Sequence, residues 1–299
     1  MTRLSLAGIF PPVTTPFKDN GDVDYAHLQS NLEKLNHEPL RGYVMGGSNG
    51  EFTSLTNDEK LKVVRLARAV APDDRLIIAG SGMESTRATI ELTRQMAEAG
   101  ANAALVVTPG YFRARMTLDA LIAHYRQVAD ASPIPVILYS VPANTGVDLP
   151  AVAVAKLAAH PNIIGLKDSG GDIAKIGQMV HETPPEFQIL AGSAGFFLAA
   201  LVVGGVGGVM ATANIAAALL HDLYTAFQAG NLEAARAVQL PLIEVNAAVT
   251  TRYGVAGLKA AMDMLGYYGG PPRSPLLPLT EDEKATLRGV LVKAGLLER

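Results

Sequence analysis

The sequence predicts an α/β protein, specifically a (β/α)8 TIM barrel with a C-terminal helical appendage. Three observations carry this expectation. Short β-rich apolar runs recur eight times, at 9–14, 42–45, 76–79, 103–107, 136–139, 163–166, 188–190 and 207–210. Helical patterns fill the intervals, and strand alternating with helix is the signature of a parallel barrel. The chain is 49% hydrophobic and only 18% charged, which suits strands buried on both faces.

The elements follow in order. The stretch 58–70 places Leu61, Val64 and Leu66 on one side, and 85–99 places Ile90, Leu92 and Met96 likewise. The stretches 117–129 and 149–159 behave in the same way. Beyond about residue 214 the strand signal stops, and 215–229, 232–250, 255–265 and 281–297 read as helices. Gly230-Asn231 and Gly269-Gly270-Pro271-Pro272 are the breaks. The first of these helices is expected to close the barrel. The predicted organisation is therefore a barrel over 1–230 and a C-terminal helical region over 231–299.

Composition narrows the function. The net charge is −3 and no basic stripe is present, so nucleic acid is not an expected partner. The longest uncharged stretch, 191–218, is broken by glycines and small polar residues and reads as barrel interior, not as a membrane span. The absence of cysteine excludes disulfides, thiolate zinc sites and a cysteine nucleophile. The start MTRLSLAGIFPP has no long apolar core and no transit character, so a cytoplasmic enzyme is expected.

Several strand runs end in polar or turn residues, among them Gly47-Ser48-Asn49, Thr108-Pro109, Tyr139-Ser140, Lys167-Asp168-Ser169 and Gly192-Ser193. Barrel enzymes build their sites at that end, so residues far apart in sequence converge there. Gly46, Ser48 and Gly50 also satisfy G-x-S-x-G, the nucleophile-elbow pattern. An elbow needs a late histidine on a loop. His27, His37, His124, His160, His181 and His221 all fall away from strand ends, so the hydrolase reading fails. No H-E-x-x-H or clustered His/Asp set suggests a metal, and GGVGGV at 204–209 lacks the phosphate-loop pattern. No cofactor is expected.

Lys167 closes the buried run Ile163-Ile164-Gly165-Leu166. A lysine carried inward there loses water, and desolvation favours the neutral, nucleophilic amine that attacks ketones. Tyr139 closes the preceding strand, and a phenol can donate and accept protons beside an imine. Each residue alone is better read as a rim or core side chain, but neighbouring strands ending in this pair shift the balance.

The segments PPVTTPF, GGSNGEF, TPGYF, YSVPANTG, GLKDSGGD and AGSAG, in order over nearly the whole chain, resemble the dihydrodipicolinate synthase/N-acetylneuraminate lyase superfamily of lysine Schiff-base aldolases. Within it the likeness is strongest to 4-hydroxy-2-oxoglutarate aldolase of the mitochondrial animal type, through AGSGMEST, IEVNAAVT and GYYGGP. That resemblance implies a class I aldolase cleaving 4-hydroxy-2-oxoglutarate to pyruvate and glyoxylate. The alternatives are 4-hydroxy-tetrahydrodipicolinate synthase, joining pyruvate to aspartate semialdehyde, and a related 2-keto-3-deoxy acid aldolase. One departure bears on the choice: Asn144 stands where the synthase pattern Y-N-V-P-S-R-T-G has arginine. Ser48 and Asn49 likewise replace the two threonines of G-T-T-G-E.

The resemblance also implies the roles. Lys167 forms the Schiff base, Tyr139 shuttles protons, and Ser48 links Tyr139 to Tyr111, which reaches in from a neighbouring subunit of a homotetramer built as a dimer of dimers. The glycine-flanked Ser48-Asn49 cradles the α-carboxylate of a small 2-oxo acid. Asn144 and Ser169 meet the distal carboxylate, while Gly192 and Val209 line the lysine pocket.

Overall fold

The computed structural model describes residues 4–298. Eight parallel strands form one sheet: β1 (Gly8–Phe10), β2 (Gly42–Met45), β3 (Leu76–Gly80), β4 (Ala103–Val107), β5 (Val136–Ser140), β6 (Ile163–Asp168), β7 (Gln188–Ala191) and β8 (Gly207–Val209). From β2 to β8 each pairs with its sequence neighbour, and β8 pairs back to β1. Between β1 and β2 the sheet closes through a single bridge, Pro12 to Val44, with Val13 N–H donating to Val44 O at 3.0 Å. The expected strand at 9–14 accordingly stops at Phe10. Pro11 and Pro12 have no N–H to give, so a regular ladder cannot continue through them.

Helices cover the outside: α1 (Tyr25–Leu35), α2 (Asn57–Val70), α3 (Thr86–Glu98), α4 (Leu118–Ala131), a single turn α5 (Pro142–Thr145), α6 (Ala151–Ala158), α7 (Ile173–Glu182), α8 (Phe197–Val202) and α9 (Ala217–Gln228). The sequence sets their starts. Thr56 accepts from Glu59 N–H while the Glu59 carboxylate takes the Thr56 N–H, a reciprocal cap that begins α2. Ser85, Thr117 and Asp172 cap α3, α4 and α7 with single side-chain acceptors.

Side chains sort into two apolar layers. Phe10, Val44, Ile78, Leu105, Ile137, Tyr139, Ile164, Leu190 and Val209 fill the barrel interior. Alternate strand residues, such as Ile77, Val106, Leu138 and Leu166, pack outward under the helices. Strand alternation accounts for the sorting everywhere except β6. There Ile164 faces in and Leu166 faces out, so a residue is inserted between them. The pairing records the same irregularity: Val136 sits opposite Ile163, but Ile137 sits opposite Gly165.

After the barrel come α10 (Leu232–Ala247), α11 (Gly254–Met264) and α12 (Glu281–Lys293). The helix expected over 232–250 changes character at its end, where Ala248–Arg252 winds as a π turn. Thr250 bonds its hydroxyl to the Asn246 carbonyl within that turn at 2.5 Å. These helices are joined to the barrel rim by buried side chains. Asn246 accepts from Ala194 N–H at 3.2 Å, and Gln239 donates to Ala194 O at 2.7 Å. Among the described residues no helix is long and apolar enough to cross a membrane.

One buried histidine ties stability to pH. His124 on α4 shares a hydrogen bond with the Thr86 hydroxyl at 2.9 Å, while its Nε2 is buried without a partner. Burial pushes its pKa down from 6.5 to about 4. Between those values the unfolded chain takes up a proton that the folded chain refuses. Stability is therefore complete above about pH 6.5 and falls as the pH drops towards 4, by up to about 3 kcal/mol. Urea unfolding at pH 7.0 and 4.5 should show this loss, and His124→Gln should flatten it. An equally steep loss in the variant would assign the acid sensitivity elsewhere.

Candidate active site

The inserted residue in β6 decides which side chains meet. Downstream of it Tyr139 lies directly opposite Lys167, and Ser140 opposite Asp168. Had alternation run on unbroken from Ile164, Lys167 would face the helices. Instead it turns inward, and its Nζ lies 4.0 Å from the centroid of the Tyr139 ring. Lys167 is 3% exposed and Tyr139 5%. Gly165 makes the irregularity sterically possible, since a Cβ there would stand 2.3 Å from the Gln188 carbonyl oxygen.

The phenol has an unusual environment. Burial pushes its pKa up, but the Lys167 charge and hydrogen bonds with Ser48, Ser169 and Lys167 together outweigh that, so the net direction is down. A phenol held below its ordinary value is better suited to moving a proton at neutral pH.

A cavity of about 400 Å³ opens beside this pair, at the C-terminal ends of β2 to β5. Its wall includes Ser48, Tyr111, Tyr139 and Asn144. Lys167, Asn49, Ser169, Gly192 and Val209 are not part of the wall, and Lys167 meets it through its contact with the Tyr139 ring. Ser169 and Gly192 touch each other on the β6–β7 side, with the Ser169 hydroxyl 3.5 Å from the Gly192 carbonyl. Val209 shares the interior cluster with Tyr139. Tyr111 is 79% exposed and stacks edge-on against Phe112. Its backbone N–H and that of Gly110 both donate to the Glu84 carboxylate, at 2.9 and 3.2 Å, which fixes the loop after β4. Among the described residues no group of histidines and carboxylates could hold a metal ion.

The loop bearing Ser48 is anchored from the far end of the chain. Ser48–Gly50 forms one tight turn and Phe52–Ser54 another, and Glu51 between them adopts φ of +54°. A left-handed backbone is costly for a glutamate. Its buried carboxylate compensates by pairing with Lys259 of α11 at 2.6 Å and accepting the Arg273 N–H at 2.8 Å. Both cations meet the Phe17 ring, each 4.4 Å from its centre. Arg273 also forks onto Glu59, and this holds the Glu59 carboxyl down at about 2.

A second buried cluster lies behind the Tyr139–Lys167 pair. Asp168 is fully buried, and its Oδ1 accepts the Gly170 N–H at 2.9 Å. Its Oδ2 has no hydrogen bond of good geometry and depends on the charge of Lys175, 2.8 Å away. Lys175 also reaches Asp148 at 2.7 Å, and Asp148 accepts from the Ser140 hydroxyl at 2.9 Å. Ser140 and Asp168 follow Tyr139 and Lys167 on their strands, so the cluster ties both strand ends together. Sequence reasoning missed Lys175, Lys259 and Glu84. The available signal was charge in apolar context: Lys259 sits in the run GVAGLKAAM.

Comparison with known proteins places this geometry. Residues 5–294 match the Dihydrodipicolinate synthetase family, and the chain belongs to it. The 4-hydroxy-tetrahydrodipicolinate synthase of Methanothrix thermoacetophila is 37% identical over 96% of each chain. Among solved structures, the dihydrodipicolinate synthase DapA-2 of Bacillus anthracis aligns with a TM-score of 0.93 and 30% identity over 99% of this chain and 100% of that one. The chloride-inhibited dihydrodipicolinate synthase of Acinetobacter baumannii, complexed with pyruvate, also gives 0.93 at 30% identity, covering 98% and 100%. The chain is thus an enzyme of a pyruvate-using family of lyases and synthases. These relatives carry the synthase name and not that of the 4-hydroxy-2-oxoglutarate aldolase, so they favour the synthase alternative over the finer likeness drawn from sequence.

Removing Lys175 should expose how far the pair depends on its backing. Lys175→Met leaves Asp168 as an uncompensated buried carboxylate, a loss of about 3–5 kcal/mol. Lys175→Met combined with Asp168→Asn should recover most of it, because the orphaned charge is gone. Chemical denaturation of the three proteins measures both effects, and a double variant no more stable than Lys175→Met would refute the pairing.

Proposed function

We propose that this member of the dihydrodipicolinate synthetase family is a class I pyruvate-dependent lyase that forms its Schiff base through Lys167. The observation carrying this reading is the register that sets Tyr139 against Lys167, both buried, with the Lys167 Nζ over the phenol ring. The amine attacks the C2 carbonyl of pyruvate, and the resulting carbinolamine loses water to give an iminium. Loss of a C3 proton yields the enamine. Its C3 attacks the carbonyl carbon of an aldehyde, the aldehyde oxygen takes up a proton, and attack of water on the product iminium breaks the C–N bond, releasing the 2-oxo product and freeing the amine. Cleavage runs the same steps backwards.

Tyr139, with its pKa lowered, exchanges the protons of the carbinolamine and the aldol oxygen. Ser48 is its hydrogen-bond relay, and Tyr111 completes the relay from a second subunit. The exposure of Tyr111 in the single chain supports that part. It fits a homotetramer assembled as a dimer of dimers, working in the cytoplasm. The turn at Ser48-Asn49 holds the pyruvate carboxylate, and Asn144 and Ser169 contribute polar groups on the acceptor side.

For the aldehyde, the names of the relatives favour aspartate semialdehyde, which makes this a 4-hydroxy-tetrahydrodipicolinate synthase. A second reading, cleavage of 4-hydroxy-2-oxoglutarate to pyruvate and glyoxylate, is favoured by one residue. Asn144 is neutral on the cavity wall and cannot supply a bidentate ion pair.

Borohydride with pyruvate should trap a covalent adduct on Lys167, located by peptide mass spectrometry. Lys167→Ala should abolish it, and Tyr139→Phe should slow its formation by roughly 10²- to 10⁴-fold. An adduct on another lysine would remove the Schiff-base assignment. With trapping established, condensation with aspartate semialdehyde should exceed condensation with glyoxylate by at least about tenfold in kcat/KM, about 1.4 kcal/mol of transition-state preference. A preference for glyoxylate would select the second reading.

A further inference from the structure

The acceptor end of the cavity raises a question of charge. Either candidate aldehyde brings a carboxylate into a wall formed there by Gly110, Tyr111, Asn144 and Thr145, where among the described residues the only charge is the Glu84 carboxylate that accepts the Gly110 and Tyr111 N–H groups. None of these side chains is a cation. A carboxylate taken out of water needs charge-assisted donors, or the cost of desolvation stands unrecovered.

One guanidinium lies against the turn that follows Thr145. The loop after β4 folds onto the α5 turn that carries Asn144. The Thr108 and Thr145 hydroxyls share a hydrogen bond at 3.1 Å, and a Cβ on Gly110 would meet Thr145 Cα at 3.0 Å. Three residues further along this loop, Arg113 lays its side chain against Gly146. A Cβ there would stand 3.1 Å from Arg113 Cδ and 3.3 Å from Nη1. Gly146 itself has φ of +67° and ends the α5 turn two residues after Asn144.

Arg113 is otherwise uncommitted. It is exposed, and among the described residues its side chain makes no ion pair or hydrogen bond. The competing cation is Lys60, which is buried, rests 4.0 Å over the Phe52 ring and bonds to Asn57. The backbone that carries Arg113 is also held. Glu84 fixes Gly110 and Tyr111, and Met116 N–H returns to the Arg113 carbonyl at 3.1 Å. An unpaired guanidinium on a fixed loop, beside a wall with no cation of its own, is placed to receive an anion.

We infer that Arg113 recognises the carboxylate of the acceptor aldehyde, supplying from the loop after β4 the charge that Asn144 cannot. This rests on the Schiff-base reading above and deepens it: the acceptor class is an aldehyde bearing a carboxylate. The planar fork of arginine can grip both oxygens, a geometry lysine does not reproduce.

Two aldehydes of nearly equal size separate charge recognition from shape. Glyoxylate carries a carboxylate where glycolaldehyde carries a hydroxymethyl group. Each is condensed with pyruvate by wild type, Arg113→Met and Arg113→Lys, and kcat/KM is measured, with aspartate semialdehyde as a third acceptor. The ratio of glyoxylate to glycolaldehyde efficiency should fall by roughly tenfold to a hundredfold in Arg113→Met, the range expected for a lost charged hydrogen-bonded pair. Aspartate semialdehyde should lose efficiency in parallel, and Arg113→Lys should recover part of both. The loss should lie mainly in the acceptor KM. A ratio within about twofold of wild type in Arg113→Met overturns the assignment, as does an equal loss for both two-carbon aldehydes. Borohydride trapping of wild type with pyruvate alone reports separately on the Schiff-base reading. If no adduct forms on Lys167, that reading falls and the acceptor role falls with it.

Discussion

The site depends on one extra residue in one strand. A parallel strand alternates its faces, so a lysine at a given position has its direction set many residues upstream. In β6 the insertion between Ile164 and Leu166 reverses the phase just before Lys167. That reversal puts the amine in the barrel rather than among the helices, and in line with Tyr139 on β5. Gly165 carries the constraint, because the Gln188 carbonyl fills the space a side chain would need.

Around this alignment the fold spends buried charge. Asp168 and Glu51 are carboxylates in nearly dry surroundings, and each is matched by a lysine from another part of the chain, Lys175 and Lys259. Such pairs add little net stability over an apolar packing of the same shape, because desolvation offsets most of the attraction. Their value lies in geometry. The Asp168 cluster fixes the ends of β5 and β6, and the Glu51 pair holds a left-handed residue that directs Ser48 and Phe52 onto the cavity wall. The C-terminal helices therefore help build the site, through Lys259 on α11 and through Asn246 and Gln239 at the start of α8.

Much of this was legible in the sequence, for identifiable reasons. Eight apolar runs gave eight strands because parallel strands are apolar on both faces. Caps such as Thr56 with Glu59 and Thr280 with Glu283 mark helix starts locally. Lys167 and Tyr139 stood out as polar residues ending buried strands. The remainder was not local. Nothing in Ile163-Ile164-Gly165 announces an inserted residue beyond the glycine, and pairs such as Glu51 with Lys259 join positions two hundred residues apart. The π turn at Ala248–Arg252 begins inside the pattern that predicts a helix over 232–250, so periodicity carries into it without marking the change. The division of the cavity wall, with Ser48 and Asn144 on it and Ser169 and Gly192 behind, depends on how loops fold over one another.

The Glu51–Lys259 pair also has a consequence in time. A chain is made from its N-terminus, and domains begin to organise as they emerge. The loop at 46–52 is synthesised early, whereas the ammonium that neutralises its buried carboxylate arrives only when α11 does. Until then nothing compensates Glu51 for adopting a left-handed backbone or for burying its charge. A nascent chain lacking α11 thus lacks the contact that holds the 46–52 turn, and this stretch of cavity wall near the start of the protein is among the last to set. The order of synthesis thus runs opposite to the order in which this part of the cavity wall can be completed.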